Sequence, residues 1–326
     1  MGVTRYFCPS SGNWNNNANW DTDLACSNGA NGIPAIGDDV VIPSGRTVQL
    51  DIEGVIDINS LVVESTATLQ DTGSRDIIKI HGANSSNEAI KILGTLNLIA
   101  ETDWSGYSVG TQIMLDPSGT GTYTVDFSGL SNANQLTTFL IGEYNAPACS
   151  NAVTYNQVGN LYAQAAVTFY SYGQAGCAIT YNFNGNDASF AVMTVNKGSA
   201  GGTYTPITVN LGNGKFTQNG NGTGTIVNAG AFNFGNVNFQ DARLTFTNRL
   251  QVGLPASLTE SCSMTFGNTR FDLSGDLEIF DKCYTKGTEV YTFKGTVDQI
   301  AEIKLAAGNY INEINIENIT GFVDIT

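Results

Sequence analysis

The sequence has little charge and a single histidine. Charged residues make up 13% of its 326 residues, about half of the usual share for a soluble globular domain. A Ser-His-Asp or Cys-His centre could be built only around His81, which ends the alternation Ile78-Lys79-Ile80. We predict that His81 is a surface or turn histidine at a strand end. The shortage of catalytic side chains indicates a protein that is not an enzyme.

Positive charge is scarcer than negative charge. The chain has 14 Lys and Arg residues against 29 Asp and Glu, a formal net charge of −15, and no cluster of basic residues along its length. This balance argues against a nucleic-acid partner, which needs a basic surface, and an anionic bilayer would repel the chain. Neighbouring carboxylates could hold Ca²⁺, and no other cofactor is expected.

Long apolar runs are absent as well. No stretch of about 18 apolar residues occurs, so we expect no insertion into a membrane. The opening, from Met1 to Tyr6, has no apolar signal-peptide run behind it. We therefore expect that the protein, if it is displayed outside a cell, arrives there without a cleaved signal, for example by virion assembly followed by lysis.

Helical periodicity is nearly absent, and two short stretches, 298–307 and 86–93, are the best helix candidates. Elsewhere short runs of alternating apolar and polar residues are closed by Gly, Asn, Asp or Ser. Each such run predicts a half-buried strand of about three to five residues. The clearest runs are 48–51, 56–59, 232–234, 237–239, 244–247, 271–273 and 314–317.

The spacing of these runs predicts an all-β fold. Between residues 201 and 279 a strand arrives about every ten residues, which suits a solenoid or a β-sandwich. Tight turns such as Asn213-Gly214 leave no room for crossover helices, and the abundance of Asn, Thr and Ser suits the stacking of like on like in a solenoid. We predict a parallel β-helix or solenoid with an N-terminal cap. Tandem β-sandwich domains are the alternative.

The composition divides the chain into four segments. Residues 1–50 form an aromatic, cysteine-containing N-terminal cap, 51–100 a first β-solenoid run, 101–200 a less regular β region with long loops, and 201–326 a second β-solenoid run. The Tyr-rich stretch 167–172 carries no charge and would aggregate as an open edge, so we expect it to be stacked or covered.

Six cysteines fall in the sequence as three local pairs. Proximity alone favours pairing within each local pair, and buried free thiols are the alternative. Because there is no C-x-x-C motif and no cysteine close to His81 in the sequence, a zinc site is not expected. The predicted disulfides are Cys8–Cys26, Cys149–Cys177 and Cys262–Cys283.

The opening residues carry a recognisable order of motifs. They read Arg5-Tyr6-Phe7, Gly12-Asn13-Trp14, Asn19-Trp20, Ile33-Pro34, Gly37-Asp38-Asp39-Val40-Val41-Ile42, Gly45 and Val48-Gln49-Leu50. This order resembles the Tyr/Phe, Gly-x-Trp, Trp, Pro, Gly-Asp-Asp-Val opening of β-rich appendage and virion proteins of tailed bacteriophages, which also occurs in secreted bacterial β-helix adhesins. The chain departs from it in carrying Cys8 and Cys26 and in lacking a Ser/Thr-Gly-Gly run before Pro34. The resemblance implies a cap or first coil leading into a parallel β-helix on an externally displayed protein.

Trp14 and Trp20 stand six residues apart in an Asn-rich loop. That placement does not suit a strand pair, and we predict that both rings fold over the open end of the core, because solenoid ends need covers. Stacking of the two indoles on sugar rings is the functional alternative.

Carboxylate pairs are the remaining catalytic candidates, because glycan-cleaving enzymes use paired Asp or Glu. Two acids two positions apart on a strand share a face. No pair is singled out by its spacing, and solvated acidic faces are expected in a chain of this charge, so we assign no catalytic, cofactor-binding or metal-binding residue. The candidate groups are Asp38/Asp39, Asp51/Glu53, Asp272/Asp276/Glu278/Asp281 and Glu313/Glu317.

These observations lead to one expected function and two alternatives. The expected function is that of a structural protein on the virion surface of a tailed phage, a tail fibre, spike or capsid decoration that serves surface display or host attachment. Its expected partners are other virion proteins, identical subunits in a trimer or larger assembly, and cell-surface glycan. The alternatives are a secreted bacterial β-helix adhesin, extracellular or on the cell surface, and a polysaccharide depolymerase.

Overall fold

The computed structural model describes most of the chain. The described residues are 2–29, 31–72, 76–98, 110–142, 152–171, 178–197, 207–218, 231–232, 236–240, 242–246, 250–252, 263–280, 284–285, 287–305, 307–317 and 320–326.

The described residues form an all-β protein, and a 3₁₀-helix at Asn17–Asn19 is the only helix among them. None of them belongs to a helix long and apolar enough to cross a membrane. The largest sheet, sheet I, has 12 strands. Its order is β3 (Trp20–Asp21), β1 (Thr4–Phe7), β4 (Asp39–Ile42), β7 (Ser60–Val63), β10 (Glu88–Ile92), β13 (Gly121–Asp126), β15 (Ala152–Val158), β18 (Ala178–Asn182), β21 (Ile207–Asn210), β24 (Asn236–Gln240), β27 (Ser263–Phe266) and β30 (Tyr284–Thr285).

Four smaller sheets complete the described strands. Sheet II is β11 (Thr95–Asn97), β8 (Thr68–Asp71), β5 (Thr47–Leu50) and β2 (Ser11–Asn13). Sheet III is β20 (Val192–Lys197), β17 (Ala166–Ser171), β14 (Thr138–Ile141), β12 (Gln112–Leu115), β9 (Asp76–Ile80) and β6 (Gly54–Ile58). Sheet IV is β16 (Leu161–Tyr162), β19 (Ala188–Phe190), β22 (Lys215–Gln218), β25 (Arg243–Phe246), β28 (Arg270–Leu273), β31 (Val290–Phe293) and β33 (Glu313–Ile316). Sheet V is β23 (Ala231–Phe232), β26 (Leu250–Val252), β29 (Leu277–Phe280), β32 (Gln299–Lys304) and β34 (Val323–Ile325).

Parallel pairing joins almost all of these strands. Between described strands, β1 and β3 form the one antiparallel pair, with Phe7 opposite Trp20. In the other pairs the partner usually lies three strands further along the chain, as in β4, β7, β10 and β13 of sheet I. Consecutive strands of the chain therefore fall in different sheets, and the ladder within each sheet joins distant parts of the sequence.

Like residues stack on like in these ladders, as the composition predicts. Sheet IV has a buried, mainly apolar column in which each residue is the register partner of the next. Alternation along each strand then directs a second, mainly polar column to the outer face. The buried column is Leu161, Ala188, Phe216, Leu244, Phe271 and Tyr291, and the outer column is Tyr162, Ser189, Thr217, Thr245, Asp272 and Thr292.

The core is one hydrophobic cluster that extends from Phe7 to Ala301 through the described residues. Aromatic rings link successive strands inside it, for example Phe183 and Phe216 with ring centroids 4.9 Å apart. Each fully buried Phe contributes about 1.5–3 kcal/mol through removal of apolar surface from water. The cluster includes strands from sheets I to V, so the sheets share one interior.

Both helix predictions are wrong. Residues 299–304 form strand β32, which pairs with β29 on one side and β34 on the other. Gln299 and Ala301 are buried while Ile300 between them is exposed, so the period is two residues rather than 3.6. The other candidate contains β10, which lies between β7 and β13. Stretches this short make marginal helices, and pairing on both sides decides in favour of the strand.

The strand predictions are confirmed in β5, β6, β24, β25, β28 and β33, and Phe232 lies in β23 while residues 233 and 234 lie outside the described residues. The Tyr-rich stretch is covered as predicted, because β17 lies between β14 and β20. Sheet I takes strands from all four predicted segments of the chain. The division into four segments remains a prediction.

Candidate functional site

The opening segment folds back on its own first strand. β3 is the terminal strand of sheet I and covers the edge of β1. A disulfide joins Cys8 to Cys26 with their Cα atoms 5.7 Å apart, which confirms that predicted pair. The cysteines of the other two predicted pairs lie outside the described residues.

Both tryptophans of this segment are packing residues. Trp14 and Trp20 are fully buried, and their rings meet edge to face with centroids 4.9 Å apart. The indole nitrogen of Trp20 donates to the backbone oxygen of Trp14 over 2.8 Å. Phe7 packs against Trp20 from β1. A ring without exposed surface offers no face to a sugar, so the geometry favours the predicted packing role over the sugar-stacking alternative.

The two carboxylates of the Gly-Asp-Asp-Val motif hold this segment in place. Asp38 accepts hydrogen bonds from the Val3 backbone nitrogen at 3.0 Å and from Arg5 Nε at 3.2 Å. Asp39 accepts hydrogen bonds at the neighbouring strand β7, from Asn59 Nδ2 at 2.7 Å and from Ser60 Oγ at 2.8 Å. Both acids therefore have structural partners on different strands, which explains the pair without catalysis.

The other candidate carboxylates are also engaged, where the structure describes them. Asp51 accepts from the backbone nitrogen of Asn15, and Asp276 from that of Ile300, each at 2.8 Å. Asp272 lies 3.0 Å from Lys294, and this hydrogen bond raises the pKa of Lys294 above its ordinary value.

The remaining acids fall on different sheets. The partly buried contact of Glu278 with Lys304 spans 3.4 Å, while Glu317 lies 4.0 Å from Lys294. Glu313 accepts from Asn315 at 2.9 Å. Glu53 is exposed, and Asp281 lies outside the described residues. Each of these contacts gives the acid concerned a structural partner.

His81 lies directly after β9, as predicted for a strand end, but its side chain is mostly buried at 13% exposure. Nε2 lies 2.8 Å from Asp57 Oδ1, and Nδ1 lies 2.9 Å from the Asp116 backbone oxygen. Ser118 Oγ donates to the His81 backbone oxygen rather than to the ring. Because both ring nitrogens face acceptors, neither is positioned to take a proton from a serine. The histidine instead connects the ends of three strands.

A surface depression lies on the outer face of sheet IV. It has a volume of about 260 Å³ and lies over β16, β19 and β22, at the end of the outer polar column. Tyr162 supplies an aromatic ring, Ser189 and Thr217 supply hydroxyls, and Asp187 and Lys215 bring charges of opposite sign. Asp187 also accepts from the Lys215 backbone nitrogen at 2.8 Å, which fixes the turn beside the depression.

Three basic residues continue from this depression along the sheet. Lys215, Arg243 and Arg270 are register partners on β22, β25 and β28, and all three are exposed. The sequence shows no basic cluster because these residues stand 28 and 27 positions apart. The signal that could have found them is the repeat of a basic residue, an apolar residue and a Thr or Asp: Lys215-Phe216-Thr217, Arg243-Leu244-Thr245 and Arg270-Phe271-Asp272.

Within the described residues, no three His, Cys, Asp or Glu side chains lie together so as to hold a metal ion. The fold and the face of sheet IV define an all-β protein of parallel sheets with a polar outer surface. A scan of protein-family models, a search of curated proteins and a search of solved structures found no match to the chain.

Proposed function

We propose that the chain is a non-enzymatic structural protein of a tailed-phage virion, a tail fibre, spike or capsid-decoration subunit that serves surface display or host attachment. In this proposal the parallel sheets are the walls of a β-solenoid, and residues 1–50 form its cap.

The order in which the chain visits its sheets carries the proposal. From β4 to β13 the strands fall in sheets I, II and III in rotation, and from β21 to β32 in sheets I, IV and V. Such a rotation is expected of a chain that winds around one core with about three strands per coil. β-Sandwich domains are built from antiparallel sheets, so the parallel pairing supports a solenoid. A stiff rod of this kind, with few charged residues, suits a display protein.

The end of the ladder at β33 and β34 supports assembly with further subunits. These are the last strands of sheets IV and V, so their outer edges are not paired with described strands. Large apolar side chains are exposed here, and a concentration of them marks a protein–protein contact more often than a free surface. The residues are Val297, Ile300, Tyr310, Ile316, Phe322 and Ile325, with exposures from 48% to 64%.

Immunogold electron microscopy tests the proposed function. An antibody raised against the recombinant chain would be applied to particles purified from a lysate of the native source, with pre-immune serum as control. We expect gold on the tails or capsids of phage particles. Gold on bacterial surfaces without particles would move the chain to the adhesin alternative. A freely monomeric chain that cleaves a glycan would contradict the proposal.

A further inference from the structure

We propose that the outer face of sheet IV binds an acidic glycan, with Lys215, Arg243 and Arg270 as its anion-binding column and the adjoining depression as its sugar-binding part. The biological role of this binding rests on the proposed attachment function, but the binding itself can be measured on the isolated chain.

The column of three cations carries an electrostatic cost. Neighbouring parallel strands lie about 4.8 Å apart, so three cations occupy a line about 10 Å long. Like charges directly opposite each other on neighbouring strands destabilise a sheet. The arrangement is the more unusual because the chain carries only 14 basic residues, and three of them meet here.

Within the described part of the chain, no ion pair neutralises the column. Lys215, Arg243 and Arg270 make no ion pair and no side-chain hydrogen bond with described residues. Acids are abundant in the chain, at 29, yet the one acid on β22, β25 and β28, Asp272, pairs with Lys294. Three exposed cations that have no partner among the described residues can take an external anion, and Arg forms bidentate hydrogen bonds with carboxylates.

The net charge of the chain limits the kind of anion. Double-stranded DNA carries one charge per about 1.7 Å and would be repelled by a chain of charge −15, whereas a polymer with one carboxylate per sugar carries its charge more sparsely. Successive sugars of an extended pyranose chain turn about its axis, so the carboxylates on one side recur about every second sugar, a repeat comparable with the length of the column. At the end of the column the depression offers Tyr162 as a ring for a sugar face, with Ser189 and Thr217 as hydroxyl partners.

Binding of the full recombinant chain to immobilised polygalacturonate tests the proposal. The variant Lys215→Gln/Arg243→Gln/Arg270→Gln is compared with Arg46→Gln/Lys79→Gln/Lys304→Gln, which changes the net charge by the same three units away from sheet IV. We expect the column variant to lose affinity by about tenfold or more and the control variant by about twofold or less. Binding of the unmodified chain should weaken as salt is raised.

Three outcomes would overturn the proposal: equal loss in both variants, no binding of polygalacturonate at low salt, or binding of double-stranded DNA as tight as that of polygalacturonate. Neutral dextran serves as the uncharged control polymer. Should the triple variant fail to fold by circular dichroism, the single variant Arg243→Gln, at the middle of the column, replaces it with an expected loss of about threefold. Failure here leaves the immunogold result untouched, and binding without particle labelling would assign the column to a surface adhesin.

Discussion

Two buried tyrosines in register on neighbouring strands differ in one hydrogen bond. Tyr155 of β15 and Tyr181 of β18 are both fully buried, and burial raises the pKa of each phenol well above its ordinary value. The Tyr181 hydroxyl donates to Gln157 Oε1 over 2.8 Å. The Tyr155 hydroxyl has no hydrogen-bond partner among the described residues. A buried hydroxyl without a partner is a net loss to the folded state.

The pair gives a matched prediction. Tyr181→Phe should lower the free energy of unfolding by about 1–2 kcal/mol, because it removes a buried hydrogen bond and leaves the Gln157 oxygen without its donor. Tyr155→Phe should leave the stability unchanged or raise it. Urea unfolding followed by tyrosine fluorescence or circular dichroism measures both. Equal destabilisation by the two substitutions would contradict the hydrogen-bond assignment.

Glu88 gives the chain an acid-sensitive contact. Burial by itself would raise the pKa of Glu88, but hydrogen bonds from Lys91 at 2.6 Å and Asn84 at 3.0 Å outweigh it and hold that pKa below 4.5. A carboxylate with a depressed pKa stabilises the folded state above its unfolded pKa, and this stabilisation is lost as the pH falls through the folded pKa.

Glu88→Gln should therefore destabilise the chain most at neutral pH. The difference in unfolding free energy between the unmodified chain and the variant should shrink as the pH falls below the folded pKa of Glu88, because the unmodified side chain is then neutral too. Urea unfolding at a series of pH values measures this difference. The exposed Glu53 supplies the control variant Glu53→Gln, for which we expect little change with pH. A pH-independent effect of Glu88→Gln would rule out the ionised contact.

At the scale of the strand and its turn, tight contacts between neighbouring strand ends require glycine at certain positions. Gly159, after β15, has φ of +73°, and a Cβ there would lie 2.6 Å from the Ser128 backbone nitrogen, which follows the paired strand β13. Gly45 has nearly the same φ, +75°, but no atom of the described residues lies within 4 Å of its Cβ position. The two glycines thus separate the effect of backbone conformation from the effect of close approach.

Gly45→Ala should lower the unfolding free energy by about 1–2 kcal/mol, the penalty for an L-residue in the left-handed region. Gly159→Ala should add a clash with backbone atoms that cannot move away cheaply, so its effect should exceed that of Gly45→Ala. Thermal and urea unfolding of the two single variants measure the difference. Equal effects would mean that the backbone around Ser128 shifts to accommodate the new methyl group at position 159.

Local alternation made the strands predictable, but the register between paired strands could not be predicted from the sequence. A run such as 271–273 is typical of a strand because the alternation of apolar and polar residues is already visible within three residues. The columns depend instead on how many residues separate one strand of a sheet from the next, and this number varies: Arg243 and Arg270 are 27 residues apart, whereas the next register pair, Arg270 and Val290, are 20 apart. Without a fixed period the sequence did not reveal the basic column. The two short helix predictions failed for a related reason, since pairing with distant strands overrides weak local periodicity.

At the scale of the whole molecule, the two ends of the strand ladder differ in how well they are covered. The first end is covered by β3 and by the buried rings of Trp14 and Trp20. The other end leaves Val297 and Phe322 each 64% exposed. These two lie beside neighbouring strands, since Gln299 donates its backbone N–H to the Phe322 oxygen at 3.0 Å. An apolar end beside strand edges that no described strand pairs is suited to contact with a second copy of the chain.

We therefore expect the chain to self-associate through this end. Val297→Ser/Phe322→Ser should shift the assembly toward the monomer, because it removes exposed apolar surface without touching the buried core. Leu24→Ser/Ile36→Ser is the matched control, since these residues are 57% and 69% exposed but lie in the opening segment. Sedimentation velocity over a range of protein concentrations measures the assembly state of both variants. A loss of association in the control, or none in the first variant, would place the subunit contact elsewhere.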